Sequence, residues 1–208
     1  MDERLQSLIN KANNGDVNAM VIVGDCYNRG EYIEKNVEKA QQYYMMAAEK
    51  GNAQAEFMAG LGFLLGEGVG RSVSTAAKYI QSAADKGITN AQYVLGSLYK
   101  DGEIGFWATD QKAVKYFEMA AKHGHAQAQI ELGDMYIRGV GVKTNLNRGL
   151  FWLVCAYLHG QNAMQESDDA MERINTLIYS GLPGGKERID SIIDDIKANY
   201  SLYIKNNY

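Results

Sequence analysis

Apolar residues recur along this chain at helical spacing, in short stretches broken by glycine. Between residues 87 and 123, Ala91, Leu95, Leu98 and Tyr99 fall at i, i+4, i+7 and i+8. Ala113, Tyr116, Phe117, Ala120 and Ala121 form a second stripe of the same kind. Each stripe predicts an amphipathic helix of about 13 residues, and the two together predict a helical hairpin. Residues 2–14, with Leu5, Leu8, Ile9 and Ala12, predict a lone leading helix. Residues 162–180 carry Met164, Met171, Ile174, Leu177 and Ile178 on one face. After the turn Gly181, Leu182, Pro183, Gly184, Gly185, residues 186–205 carry Ile189, Ile192, Ile193, Ile196, Tyr200 and Ile204, with Glu187, Asp190, Asp194 and Asp195 opposite.

The pattern repeats. Gly15, Gly51, Gly87, Gly124 and Gly160 stand 36, 36, 37 and 36 residues apart. In the same register run Ala19, Ala55, Ala91, Ala128; Gly24, Gly60, Gly96, Gly133; and the rings Tyr27, Phe63, Tyr99, Tyr136. A further glycine column is Gly30, Gly66, Gly102, Gly139. The second halves align through Ala40, Ala76, Ala113, Gly149, through Tyr43, Tyr79, Tyr116, Trp152, and through Ala47, Ala83, Ala120, Ala156. A fixed period of this length is the signature of a repeat architecture. Small residues at fixed places let helices approach, and rings fill the gaps opposite. Gly51, Gly87, Gly124 and Gly160 fall where the second helix must end, each preceded by a basic residue, Lys50, Lys86, His123 or His159, that complements the helix dipole.

Four units, 15–50, 51–86, 87–123 and 124–160, therefore follow a leading segment 1–14 and precede capping helices in 161–208. The expected fold class is all-α, an α/α solenoid of eleven helices in a single elongated domain. The segments AQYVLGSLYKDG, AEFMAGLGFLLGEGVG and AQIELGDMYIRGVGV, followed by KYIQSAADKG or KYFEMAAKHG, resemble the Sel-one-like repeat (SLR) family, relatives of the tetratricopeptide repeat. The resemblance covers residues 15–160. Ala59 in place of leucine, Gly149 in place of alanine, and Gly30, Glu31, Tyr32, Ile33 in place of G-x-G-V depart from the family pattern without breaking the helices.

Composition and charge narrow the function. The 208 residues carry 21 basic and 25 acidic side chains, a net charge of −4, which is no basic footprint for nucleic acid. Glu166, Asp168, Asp169 and Glu172 against Arg173 account for −3 of it. No stretch has the roughly 18 apolar residues of a membrane span. The N-terminus shows no targeting sequence, so the expected location is cytoplasmic, or periplasmic if a signal peptide has been removed. Cys26 and Cys155 lie 129 positions apart in no ligand spacing and read as packed thiols.

No catalytic constellation emerges, and an enzyme is not expected. His123, His125 and His159 could suggest metal, but His123 and His159 share a repeat slot with Lys50 and Lys86, so neither a metal nor a cofactor is expected. Ser97 and Lys100 spell S-x-x-K without the companion motifs of penicillin-recognising enzymes. One disulfide-rich branch of the SLR family is associated with β-lactam hydrolysis, and this leaves a β-lactam-acting or penicillin-binding enzyme as an alternative. Gly66, Gly68 and Gly70 follow no strand, and Gly184, Gly185, Lys186 lacks the rest of a phosphate loop.

What the resemblance implies is an adaptor or regulator that binds a protein partner along the concave surface lined by the first helix of each hairpin. In the second repeat that stripe is Gln54, Phe57, Leu61, Leu64 and Leu65, a helix apolar on both faces. Phe57, Leu61 and Leu64, with Tyr93, Ile130 and Ile137, form a candidate apolar anchor. Asp25, Arg29, Lys100, Asp134 and Arg138 form its candidate polar rim. Phe106 and Trp107, in the one loop that is a residue longer than the others, are a second candidate contact. Several bacterial SLR proteins protect their producer from secreted toxins, including those of type VI systems, so an immunity protein bound to a toxin is the narrower expectation. A weak homodimer joined through the second repeat is a further alternative to a monomer.

Overall fold

The computed structural model describes residues 3–104, 109–159, 164–179 and 185–207. Among the described residues there are eleven helices and no strand. They are α1 (Glu3–Asn13), α2 (Val17–Arg29), α3 (Val37–Glu49), α4 (Ala53–Leu65), α5 (Val73–Asp85), α6 (Thr89–Lys100), α7 (Thr109–Lys122), α8 (Ala126–Arg138), α9 (Leu146–His159), α10 (Met164–Tyr179) and α11 (Gly185–Asn207). The all-α solenoid class read from the periodicity is the observed one. The chain divides into two compact units, Met1–Ala91 and Gln92–Tyr208.

In the first unit α1 packs on α2, α2 pairs with α3, and α4 pairs with α5. Each pairing is centred on a glycine of the first helix. A Cβ added to Gly24 would lie 2.7 Å from the Tyr44 ring, and one added to Gly60 would lie 2.6 Å from Ile80 Cγ1 and 3.2 Å from the Ile80 backbone nitrogen. Only hydrogen at that position lets the second helix sink a large side chain into the first. The second unit repeats the device. Gly96 takes the ring of Phe117, and Gly133 takes Leu153 2.9 Å from where a Cβ would be. Tyr44, Ile80, Phe117 and Leu153 thus form a column of knobs matched to the glycine column.

Near the connecting loop of the first three hairpins the column of rings stacks in pairs. Tyr27 lies over Tyr43, Phe63 over Tyr79 and Tyr99 over Tyr116, with centroids 6.0, 5.8 and 5.7 Å apart and planes within 12°. Lys39 sits 5.3 Å from the Tyr27 centroid, Lys112 5.1 Å from Tyr99 and Arg148 4.8 Å from Tyr136. These are cation–π contacts. The second repeat has Phe63 and Thr75 at the two positions, so ring and cation change together.

Within a hairpin the basic column ties the end of the second helix back to the start of the first. Lys86 reaches past the dipole role expected of it. Its Nζ donates to the Gly51 carbonyl at 3.0 Å and to Glu56 Oε1 at 2.7 Å, in the first turn of α4. In the second unit His159 Nδ1 lies 3.0 Å from Gln129 Oε1, while Gln129 Nε2 donates to the Ala121 carbonyl at 2.9 Å. Because the Gln129 amide nitrogen is committed to that carbonyl, its oxygen accepts from His159. Glu56 and Gln129 occupy equivalent positions, as do Lys86 and His159: carboxylate faces ammonium in one repeat and amide faces imidazole in the other. Glu56 Oε2 is buried without a hydrogen-bond partner, where the corresponding atom of Gln129 is a donor nitrogen.

The second unit ends with α10 and α11 packed against α9. Ile174, Ile189 and Ile196 are buried there, and Glu187, Asp190, Asp194 and Asp195 are exposed, as the expected stripe requires. Of the turn expected at 181–185, residues 181–184 lie outside the described residues, as does Gly160, and Gly185 is the first residue of α11. Gly149, which replaces the column's alanine, opens a slot on α9 that Ile137 of α8 fills, its Cγ1 2.5 Å from where a Cβ would stand. Cys26 and Cys155 are buried free thiols. Burial pushes both thiols up, Cys155 to about 12, which makes them inert.

Gly60→Ala is expected to cost about 1–3 kcal/mol by urea denaturation, the ordinary penalty for overpacking, despite the better helix propensity of alanine. Gly70→Ala, at a site with nothing within 4 Å, is the control and should be near neutral. Lys86→Ala leaves the Glu56 carboxylate buried without its cation and is expected to cost about 1–3 kcal/mol in the same measurement. Adding Glu56→Gln to that variant should recover part of the loss.

Candidate protein-interaction surface

In the first unit the stripe on α4 is built by a helix of unusual composition. From Phe57 to Leu65 it contains no charged residue, and its one acid, Glu56, is turned inward onto Lys86. The reason it stays helical is local. Asn52 caps the N-terminus by accepting from the Ala55 amide at 2.9 Å, and Gly66 closes the C-terminus in the left-handed conformation, φ 77°. Gly62 makes room for Gln41 of α3, whose Nε2 donates to the Ala59 carbonyl at 2.8 Å.

The stripe divides by depth. Phe57 is 6% exposed and belongs to the packed interior. Leu61 and Leu64 are half-buried, and Leu65, 61% exposed, stands in solvent. On α2, Ile22 is 44% exposed in a stripe that also holds Asn18 and Arg29, an apolar contribution that the matched columns did not single out. Asp25, expected at a polar rim, is half-buried and accepts a hydrogen bond from the Tyr44 hydroxyl at 2.7 Å. Burial, and then that bond, push the Tyr44 hydroxyl well above its ordinary range. Arg29 is exposed and lies 3.6 Å from Glu31.

The candidate residues of the second unit serve mainly internal contacts. Ile130 is fully buried, and Ile137 faces Gly149. The Tyr93 ring lies on Phe117 at 5.9 Å and on His125 at 4.4 Å, centroid to centroid. Lys100 donates to Glu131 at 2.9 Å, joining α6 to α8, and Arg173 donates to Asp134 at 2.9 Å, joining α10 to α8. Opposite charges at facing positions of neighbouring first helices were the sequence signal for these two ion pairs. Arg138 is exposed in the last turn of α8. Phe106 and Trp107 lie outside the described residues.

Other candidate chemistry resolves into structure. The Ser97 hydroxyl donates to the Tyr93 carbonyl at 3.3 Å. The Lys100 ammonium loses some solvation, but the hydrogen bond and charge of Glu131 outweigh that and hold it above its ordinary range, so it has no free amine to act as a base toward Ser97. Gly68 lies against the Val37 carbonyl, leaving the 66–70 loop packed on α3 with no open cradle. His125 is the N-cap of α8, and His159 is bound to Gln129. Among the described residues no three His, Cys, Asp or Glu side chains converge as metal ligands, and no helix is long and apolar enough to cross a membrane.

Comparisons with known proteins agree with this geometry. The family model described as the Sel1 repeat matches four times, at residues 17–52, 53–88, 89–125 and 126–161. No curated protein matches the chain. Among solved structures, the chain is similar to a protective antigen of uropathogenic Escherichia coli displaying an SLR fold, at 31% identity and a TM-score of 0.78. That match covers 88% of this chain but only 38% of the antigen, so the chain spans well under half of its relative. A Sel1 repeat protein from Oxalobacter formigenes matches at 27% identity and a TM-score of 0.77, over 96% of this chain and 80% of that one. An immunity protein from Pseudomonas aeruginosa matches at 20% identity and a TM-score of 0.50, over 98% of this chain and 73% of that one, a likeness of fold alone. Four consecutive family matches, coinciding with the four hairpins, place this chain in the Sel1 repeat family, a fold of protein-interaction modules.

Proposed function

We propose that the chain is a non-catalytic binding module that docks a protein partner on the exposed stripe of α4, and that the partner is a secreted toxin which it neutralises as an immunity protein. The observation that carries the surface is Leu65, 61% exposed at the end of a helix whose neighbouring stripe residues, Leu61 and Leu64, are themselves half-open to solvent. An apolar group of this kind is stabilised when a partner covers it, at roughly 25 cal/mol per Å² removed from water. Ile22 on α2 adds apolar area in the same unit, and the exposed Arg29 supplies a polar edge.

Ion pairing favours this surface over the other candidates. Lys100 and Asp134 are each held by a neighbouring helix, and a partner would have to displace Glu131 or Arg173 to reach them. Leu61, Leu64 and Leu65 have no competing polar contact to break. The toxin half of the proposal rests on less: Pseudomonas aeruginosa immunity proteins share the fold, which makes it a scaffold suited to such binding. In this reading the chain works in the cytoplasm of the producing cell.

Removing the gene from one strain in a toxin-producing population is expected to cause growth arrest on contact with its siblings, and a copy of the unaltered gene should restore growth. Absence of any growth defect would remove the immunity reading. The Leu61→Asp and Leu65→Asp variants should stay helical by circular dichroism yet restore growth poorly. Full rescue by both would place the binding surface elsewhere on the chain.

A further inference from the structure

The helices of this protein whose N-caps are described use Asp16, Asn36, Asn52, Ser72 and Asn145, with one exception, His125 at the start of α8. In the repeat register His125 stands where Asp16 and Asn52 stand in the first two repeats. Its Nδ1 accepts a hydrogen bond from the Ala128 amide at 3.2 Å, the place filled in the first two repeats by a carboxylate or amide oxygen; the third repeat has Ile88 there. An imidazole can accept there only while it is neutral. Protonation turns Nδ1 into a donor facing another donor and sets a positive charge on the positive end of the helix dipole.

We propose that His125 makes the first turn of α8 a proton-sensitive joint, capped at neutral pH and released when the ring takes up a proton. The ring is half-buried and stacked on Tyr93 of α6, so it cannot turn freely to solvent when its bond is lost. The groups around it are few. On α8 itself the next residues, from Ala126 to Ile130, carry no charge. Glu166 of α10 is the carboxylate whose charge acts on the ring, Tyr93 of α6 contributes its neutral face, and His159 of α9 meets α8 one turn on, at Gln129. Lys122 and His123 precede it at the exposed end of α7.

The two histidines at this turn respond differently. His159 uses Nδ1 as a donor to Gln129, and a second proton on Nε2 leaves that bond in place. His125 uses Nδ1 as an acceptor, and the same proton destroys its bond. Burial holds both rings below their ordinary value, His125 against a smaller opposing pull from a backbone hydrogen bond and from Glu166. A histidine held low in the folded chain binds its proton first in the unfolded one. Stability of the second unit is therefore unaffected well above the ordinary histidine value of about 6.5 and is lost progressively as pH falls below it. The consequence reaches the packing of the second unit, since α8 carries Glu131 and Asp134, the acids that hold Lys100 and Arg173.

Amide hydrogen exchange of the full chain, read by NMR and corrected for the intrinsic effect of pH, tests this. Between about pH 7.5 and 5.0 the protection of the Ala128 amide is expected to fall about fivefold or more, the effect of losing one cap of ordinary strength. Protection of the Ala55 amide, capped by Asn52, should not fall with it. In His125→Asn the Ala128 amide should keep its protection across the range, and His125→Asp serves if the asparagine variant does not fold. Unchanged protection of Ala128 in the unaltered chain, or an equal fall in the capped variant, would overturn the proposal.

Discussion

A hydrogen atom where any other residue has a side chain is what the rest of this fold depends on. Gly24, Gly60, Gly96 and Gly133 each receive a large residue of the following helix, Tyr44, Ile80, Phe117 or Leu153. The identity of the knob varies between ring and aliphatic chain while the glycine does not, because the constraint is the approach of the two helices and not the chemistry of the contact. Once that approach is set, the rings near the connecting loops stack in register. Ile137 filling the slot at Gly149 is the same solution used once more, with the roles of the two helices exchanged.

At the open end of a hairpin a polar joint takes over from apolar packing. Lys86 with Glu56 and His159 with Gln129 are two chemical solutions to one geometric problem, binding the end of a second helix to the first turn of the helix it returns to. They differ in what they leave behind: the amide of Gln129 satisfies a backbone carbonyl, whereas Glu56 keeps a buried oxygen without a partner. Placing histidine as the cap of α8, where the first two repeats have Asp16 and Asn52, makes the second unit sensitive to pH. Repetition of a backbone thus coexists with local differences in its titration.

The candidate site was legible in part. Helix α4 stands out in the sequence because charge disappears from both of its faces, and Leu65 is where the structure leaves that apolar character in solvent. Phe57 and Ile130 shared the same stripe by register, yet burial by neighbouring helices takes them out of reach. The polar residues expected to ring the anchor, Asp25, Lys100 and Asp134, turn out to be held by Tyr44, Glu131 and Arg173. A register identifies which face a residue occupies. It does not say which long side chain of an adjacent helix will reach across to it.

The sequence by itself determined the helices, their pairing into four hairpins, the family and the places where the chain must turn, because all of these follow from local periodicity and from glycine's missing Cβ. It also carries the paired substitutions of Glu56 with Lys86, Gln129 with His159, and Phe63 with Thr75. Tertiary structure alone decided which charges are spent inside the protein and which apolar residues remain outside. The physical reason is distance: these outcomes depend on atoms about one repeat apart in sequence meeting within hydrogen-bond reach, and only the packed helices bring them there.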